Sequence, residues 1–226
     1  MARQSYQDQL ADLREDVLFM SDVVLERLRL GLDALELKDI DMAWAVIEGD
    51  DEINEMYLEL EKECIDLLAL QQPVASDLRF IAASFKIITD LERIADLATN
   101  LGDYTKDAER DVFPDVDIQE LGDMVIEMVE DAMEAYETED VDATFDIAAY
   151  DDDVDAFCDR AGQVVVRDLI ETQLEDEGDG EEVERLMADV SRLLLTIRDL
   201  ERVGDHAVNI AARTLYMVEN NDELIY

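Results

Sequence analysis

Glycine and proline are scarce in this chain, at 8 and 2 of 226 residues. A β-rich fold needs such residues at its corners, so their scarcity disfavours a sandwich or barrel and favours helices. Histidine occurs once, at His206. That excludes a di-iron centre built from paired Glu-x-x-His motifs on neighbouring helices. The only cysteines, Cys64 and Cys158, stand apart in apolar-periodic segments and read as reduced core thiols. A Gly-rich phosphate loop, a Gly-x-Ser-x-Gly elbow and a Cys–His pair are all missing, which removes the common nucleotide-binding and hydrolytic chemistries. No apolar run approaches the ~20 residues of a membrane span. The first dozen residues show no basic segment followed by an apolar one, so a cytoplasmic protein is expected, with no direct membrane insertion.

Positive charge is equally sparse. Asp and Glu total 61 against 18 Lys and Arg, a formal net charge of −43, and the only lysines are Lys38, Lys62, Lys86 and Lys106. Nucleic-acid binding neutralises phosphates with Lys and Arg, and anionic lipid surfaces demand the same, so neither is an expected partner. Self-repulsion of this size strains a compact fold at low ionic strength and is screened at molar salt, where the Debye length is about 3 Å. The acidity therefore reads as adaptation to a salty cytoplasm, the alternative being an acidic protein from an ordinary cell. With 49% apolar residues the chain still has the material for a sizeable core.

Those apolar residues follow helical spacing. Leu10, Leu13, Val17, Met20, Val24, Leu28, Leu32 and Leu35 step by three and four. A second helix is expected from Asp39 or Asp41 through Val46, Ile53, Leu60, Cys64 and Leu67, ending at Gln71-Gln72-Pro73. Ser76 or Asp77 is expected to cap a third helix running from Leu78 towards Lys106. Asp117, with Glu120 three residues later, marks the start of a fourth.

From there the pattern restarts. Asp39-Ile-Asp-Met-Ala-Trp-Ala-Val46 lies over Asp140-Val-Asp-Ala-Thr-Phe-Asp-Ile147 at a shift of 101, and Asp50–Asn54 lies over Asp151–Asp155. Asp90-Leu-Glu-Arg-Ile-Ala-Asp-Leu-Ala-Thr-Asn-Leu101 lies over Asp199-Leu-Glu-Arg-Val-Gly-Asp-His-Ala-Val-Asn-Ile210 at a shift of 109, the difference falling in an acidic loop around Glu175 to Glu182. The chain is thus predicted to be all-α: six helices in two tandem three-helix bundles of up-down topology, spanning 1–110 and 118–220, with a linker at 111–117 and a tail at 221–226. Trp44 and Phe145 share one repeated aromatic position and are expected in the core.

Chemistry is sought where the repeats agree. Glu92, Asp96 and Asn100 recur as Glu201, Asp205 and Asn209, four residues apart and so on one helical stripe. Asp50 with Asn54 recurs as Asp151 with Asp155 on the preceding helix. Facing acid stripes supply several hard oxygen ligands, suited to Mg²⁺, Mn²⁺ or iron. The same stripes also suit a solvated face. The first site is one carboxylate poorer, because Asn54 stands where the second has Asp155. His206 is read as a packed or surface histidine, Arg79 as either exposed or a holder of one of these carboxylates, and Asp22, Glu26, Asp123 and Glu127 as a solvated face.

Asp90-Leu-Glu-Arg-Ile-Ala-Asp96 and its partner at Asp199–Ile210 resemble the paired signatures of the PhoU phosphate-signalling regulators. So do Gln72-Pro-Val-Ala-Ser-Asp-Leu-Arg79, with Lys86 beyond it, and Ile47-Glu-Gly-Asp-Asp-Glu-Ile-Asn54. The resemblance covers nearly the whole chain in register. It implies two three-helix bundles side by side, often dimeric, and a non-enzymatic negative regulator of phosphate uptake. The implied partners are the ATPase subunit of a phosphate ABC transporter and a phosphate-sensing regulator such as a histidine kinase. It further implies multinuclear clusters of Fe, Mn, Mg or Zn on acid-x-x-x-Asp motifs, here Glu92, Asp96, Glu201 and Asp205, with Asp50, Asp151 and Asp155 facing them. Two rival functions are a helical-bundle hydrolase with carboxylate-held metals and a purely structural helical spacer. The spacer has no need of Leu-Glu-Arg-x-x-Asp twice.

Overall fold

The computed structural model describes residues 2–70, 74–107, 116–175 and 180–225. They form seven helices and no strand: α1 (Ala2–Leu37), α2 (Ile40–Glu48), α3 (Asp50–Leu70), α4 (Ala75–Asp107), α5 (Ile118–Thr138), α6 (Val141–Glu175) and α7 (Gly180–Glu219). The all-α duplication read from the sequence is what folds. The first unit is α1, the α2–α3 pair and α4; the second is α5, α6 and α7. The apolar stripe of α1 is buried from Leu10 to Leu32, with Leu35 half-buried, as its spacing requires. Neighbours run antiparallel. Arg27 of α1 pairs with Glu52 at the start of α3, while Asp12 and Asp16 lie near Glu63 further along it. The units are not separate bodies: α1 packs on α5, and both α4 and α5 pack on α7, so one apolar core runs through both.

The turns repeat as faithfully as the helices. Lys38 and Glu139, equivalent positions, both adopt left-handed backbone with φ of 53° and 58°. The amides of Asp39 and Asp140 then donate back to the carbonyls of Ala34 and Ala135, each at 3.1 Å, closing α1 and α5 in the same Schellman geometry. Asp39 also opens the next helix, its carboxylate accepting from the amides of Asp41 and Met42. Asp140 does the same for Asp142 and Ala143. Asp117 caps α5 through the Glu120 amide at 2.9 Å, as its spacing with Glu120 predicts.

Four expectations need correction or comment. The second helix of the first unit is broken at Gly49, giving α2 and α3 where one helix was expected. The cause is Arg27, whose guanidinium donates to the Ala45 carbonyl at 2.9 Å and sits where a Cβ on Gly49 would fall, 2.1 Å from its Nη1. The equivalent residues in the second unit are Met128 and Tyr150, and α6 continues unbroken. Next, α4 begins at Ala75, which places Ser76 and Asp77 inside its first turn and not at its cap. Third, Trp44 and Phe145 are not core residues: they are 45% and 37% exposed. A Cβ on Gly102 of α4 would come within 2.9 Å of the Ala43 carbonyl, so α2 and α4 touch too closely to admit an indole. Ala43 and Val46 fill that seam, and Trp44 lies outside under the Lys106 ammonium, 4.1 Å from its ring centroid. Last, the expected turn at Gln71-Gln72-Pro73, the linker up to 115 and the middle of the acidic loop, 176–179, lie outside the described residues.

Candidate functional site

The acids singled out by the repeat meet across two helix pairs. In the second unit α6 presents Asp151 and Asp155 to Glu201 and Asp205 of α7. Burial and then the neighbouring Asp155, Asp205, Asp152 and Glu201 push the Asp151 carboxyl up to about 6. Burial, then Asp205, raises Asp155; burial, then Asp155 and Asp205, raises Glu201. One oxygen of Asp151 is buried with no hydrogen-bond partner. It lies 3.2 Å from the point a Cβ would occupy on Gly204, so the bare backbone of Gly204 makes its cradle. Any larger residue at 204 crowds that oxygen.

The first unit has the same frame with a quieter result. Asp50 of α3 faces Glu92 and Asp96 of α4, whose carboxyls are raised first by burial and then by their acidic neighbours, Asp50 among them. Asp50 accepts from the Asn54 amide at 2.8 Å, and the Thr99 hydroxyl, whose proton goes to the Ala95 carbonyl at 3.1 Å, stands 3.5 Å away. The second unit puts Asp155 and Val208 at these positions, so Asp151 loses both polar neighbours and gains a charge. Among the described residues, no three Asp, Glu, His or Cys side chains converge tightly enough to hold a metal ion as they stand. The carboxylate oxygens of both ledges, and the unpartnered Asp151 oxygen of the second, are of the donor type that hard cations take.

Behind the ledges the two third helices clasp each other, in contacts that the repeat alone does not predict. Asp90 of α4 and His206 of α7 are both buried and join through Oδ1 and Nδ1 at 2.9 Å. In the reciprocal direction, buried Asp199 of α7 accepts from Asn100 of α4 at 3.0 Å and from the Tyr104 hydroxyl at 2.8 Å. Asn100 therefore leaves the acid stripe for the contact between units, and His206 is packed, one of the two roles expected for it. The signal is present in the sequence: Asp90 and Asp199 open both copies of the repeated motif. Arg79 holds none of the ledge acids. Its Nε donates to the Met217 carbonyl at 3.2 Å, capping the C-terminal turn of α7. Asp22, Glu26, Asp123 and Glu127 are exposed, and both cysteines are free and buried, their thiols raised to about 12 chiefly by burial.

The class these features define is an all-α tandem duplication with third helices clasped through buried aspartates and an acid ledge in each copy. The chain belongs to the PhoU family. The PhoU domain model matches it twice, over residues 17–105 and 118–214. It is 34% identical to the phosphate-specific transport system accessory protein PhoU homolog of Pseudomonas aeruginosa, over 97% of this chain and 87% of that one. It is also 34% identical to PhoU homolog 1 of Methanothermobacter thermautotrophicus, over 94% of each. The crystal structure of PhoU from Pseudomonas aeruginosa superposes with a TM-score of 0.83 at 32% identity, covering 96% of this chain and all (100%) of that one.

Proposed function

We propose that this chain is a non-enzymatic accessory of phosphate transport that restrains uptake by binding, from the cytoplasm, the ATPase subunit of a phosphate ABC transporter. A phosphate-sensing regulator is a second partner, and the working form is a homodimer. The observation that carries this reading is the in-register match, through both repeats, to proteins named as phosphate-specific transport accessories. None of the described helices is long and apolar enough to cross a membrane, so contact with a transporter falls to its water-exposed parts. The test is direct. The purified chain should retain the transporter ATPase on a column, and its deletion should raise phosphate uptake in phosphate-rich medium. Unchanged uptake together with no retention defeats the proposal.

Within that reading the ledges are cation sites: Asp151, Asp155, Glu201 and Asp205 for one, Asp50, Glu92 and Asp96 for a weaker one. A bound Mn²⁺, Mg²⁺, Fe or Zn²⁺ supplies charge neutralisation between the second and third helices, nothing catalytic. Binding to the folded state alone stabilises it by mass action. Each cation should therefore raise the melting temperature above matched monovalent salt, and Glu201→Gln with Asp205→Asn should remove most of that increment. An increment untouched by the double substitution places the cations elsewhere.

A further inference from the structure

An open apolar groove of about 620 Å³ begins where the second acid ledge ends. Its floor is the four-residue stripe Cys158, Gly162, Val166 and Ile170 of α6, with Leu194 of α7 as its far wall. Val166 and Ile170 are 47% and 55% exposed, so the outer half of the stripe is uncovered, while Cys158 at its inner end is buried. At its inner end Cys158 lies in electrostatic range of Asp151, Asp155, Asp159 and Glu201, and Asp159 is itself part of the lining. The lining also carries Arg167 and Glu171, with Arg167 held 3.7 Å from the Asp168 carboxylate, so the excess negative charge sits at the inner end, beside the ledge.

The duplication shows what opened it. The matching residues of the first unit are Tyr57 for Cys158, Glu61 for Gly162, Ile65 for Val166 and Phe85 for Leu194. Tyr57 and Phe85 pack against the core there, as Leu194 does in the second unit. The second unit has the smaller side chain at these four positions but the larger at Ile170, where the first unit has Ala69; Ile65 is as exposed as Val166, and a Cβ on Gly162 would meet nothing within 4 Å. The shared scaffold therefore does not impose the groove.

We propose that this groove docks an amphipathic helix from a partner protein, with apolar anchors at four-residue spacing on Gly162, Val166 and Ile170. Its next turn carries Lys or Arg onto Asp155, Asp159 and Glu201. The dimensions and the charge both select this occupant. From Cys158 to Ile170 the floor is ~18 Å long, about three helical turns, and helices lying in grooves are held by i, i+4 anchors. The acidic end rewards a basic partner and repels an acidic one, which disfavours a second copy of a chain carrying −43. The groove is open along its length, so a small apolar molecule would stay largely wet in it. No part of this depends on which transporter subunit the chain engages.

The probe is a synthetic helical peptide of about four turns with leucines at successive four-residue steps, arginines on the following turn and a fluorescent label. Binding to the full chain is read by anisotropy, in chelator, at the lowest salt that preserves full helicity. Val166→Glu and Ile170→Glu should each weaken binding by at least ~10-fold, about 1.4 kcal/mol. The matched first-unit change Ile65→Glu should leave it within ~2-fold. Gly162→Leu, which fills the floor without adding charge, should also weaken it, with circular dichroism verifying that each variant is folded. A peptide with glutamates in place of the arginines should not bind. The inference is overturned by no measurable binding to the unaltered chain, by equal losses in Ile65→Glu and Val166→Glu, or by the glutamate peptide binding as well as the arginine one.

Discussion

Replacing Asp151 by asparagine should make the protein more stable at neutral pH, although it removes a residue of the candidate site. The Asp151 carboxyl is raised from its ordinary 3.8 to about 6, first by burial and then by Asp155, Asp205, Asp152 and Glu201. A folded-state value above the unfolded one means that the folded protein binds the extra proton more tightly. That stabilisation is complete below about pH 4 and drains away as pH rises through about 6. A rise of this size corresponds to about 3 kcal/mol, which partial exposure of the group reduces to roughly 1–2 kcal/mol at pH 7. In a chain of this length that is roughly 2–8 °C in Tm. Melting curves of both proteins from pH 4 to 8, at fixed monovalent salt and with chelator, read it directly. Asp151→Asn should melt higher than the unaltered chain at pH 7 and equally at pH 4, with a shallower fall between; the other raised acids keep that fall from vanishing. If Asp151→Asn melts lower at pH 7, or if the gap between the two curves ignores pH, the unpartnered oxygen over Gly204 is not a source of strain. Adding Mn²⁺ should then lift the unaltered chain more than the variant, because the cation removes the same repulsion.

Three further outcomes follow. The charge of −43 predicts that Tm rises between ~0.1 M and molar KCl as the screening length contracts from ~10 to ~3 Å; relief of only ~3 kcal/mol gives roughly 6–12 °C. A flat Tm over that range removes the adaptation to salt. Trp44→Ala should cost about 1 kcal/mol, the scale of an exposed cation–π contact with Lys106 and not the ~3–5 kcal/mol of a core aromatic, as measured by urea unfolding. Gly102→Val should cost at least ~1–3 kcal/mol, because even its Cβ approaches the Ala43 backbone carbonyl to 2.9 Å and a backbone atom cannot rotate away. A Gly102→Val protein as stable as its parent shows that α2 is free to shift.

What the sequence made legible is what local rules govern. Helical stripes, the Asp39 and Asp117 caps and the duplicated motifs each depend on residues within a turn or two of each other. Even the pairing of acids across helices was readable, since two stripes recurring together imply two faces that meet. Apart from the start of α4, which falls at Ala75 and not after Ser76 or Asp77, the misses involve contacts between residues distant in the chain. Nothing near Gly49 announces that Arg27 will occupy its missing side chain and split the helix. Nothing near Trp44 reveals that Gly102 draws α4 too close for an indole. Asp90 and Asp199 stand in plain view, yet only the antiparallel crossing of α4 and α7 turns them towards His206 and Asn100 rather than towards the ledges.

The places where the copies differ carry the remaining information. A duplicated scaffold gives matched positions the same surroundings to begin with, so a mismatch isolates what one copy does differently. Asn54 against Asp155, Thr99 against Val208 and Ala95 against Gly204 all change the same ledge. In the first unit Asn54 donates to Asp50 at 2.8 Å, and the Thr99 hydroxyl, whose proton goes to the Ala95 carbonyl at 3.1 Å, stands 3.5 Å away. In the second, both groups are gone, a carboxylate is added, and Gly204 clears space for an oxygen that no protein group satisfies. An acid cluster that lacks internal donors is stabilised chiefly by positive charge from outside. The adjoining groove at Gly162 opens towards the same charge deficit, so a bound cation and a basic helix compete for one ledge. Peptide affinity should therefore fall as Mn²⁺ is titrated into the unaltered protein. The same titration should have a much smaller effect on Glu201→Gln with Asp205→Asn, measured at equal ionic strength. Equal sensitivity in the two proteins means that the ledge and the groove act separately.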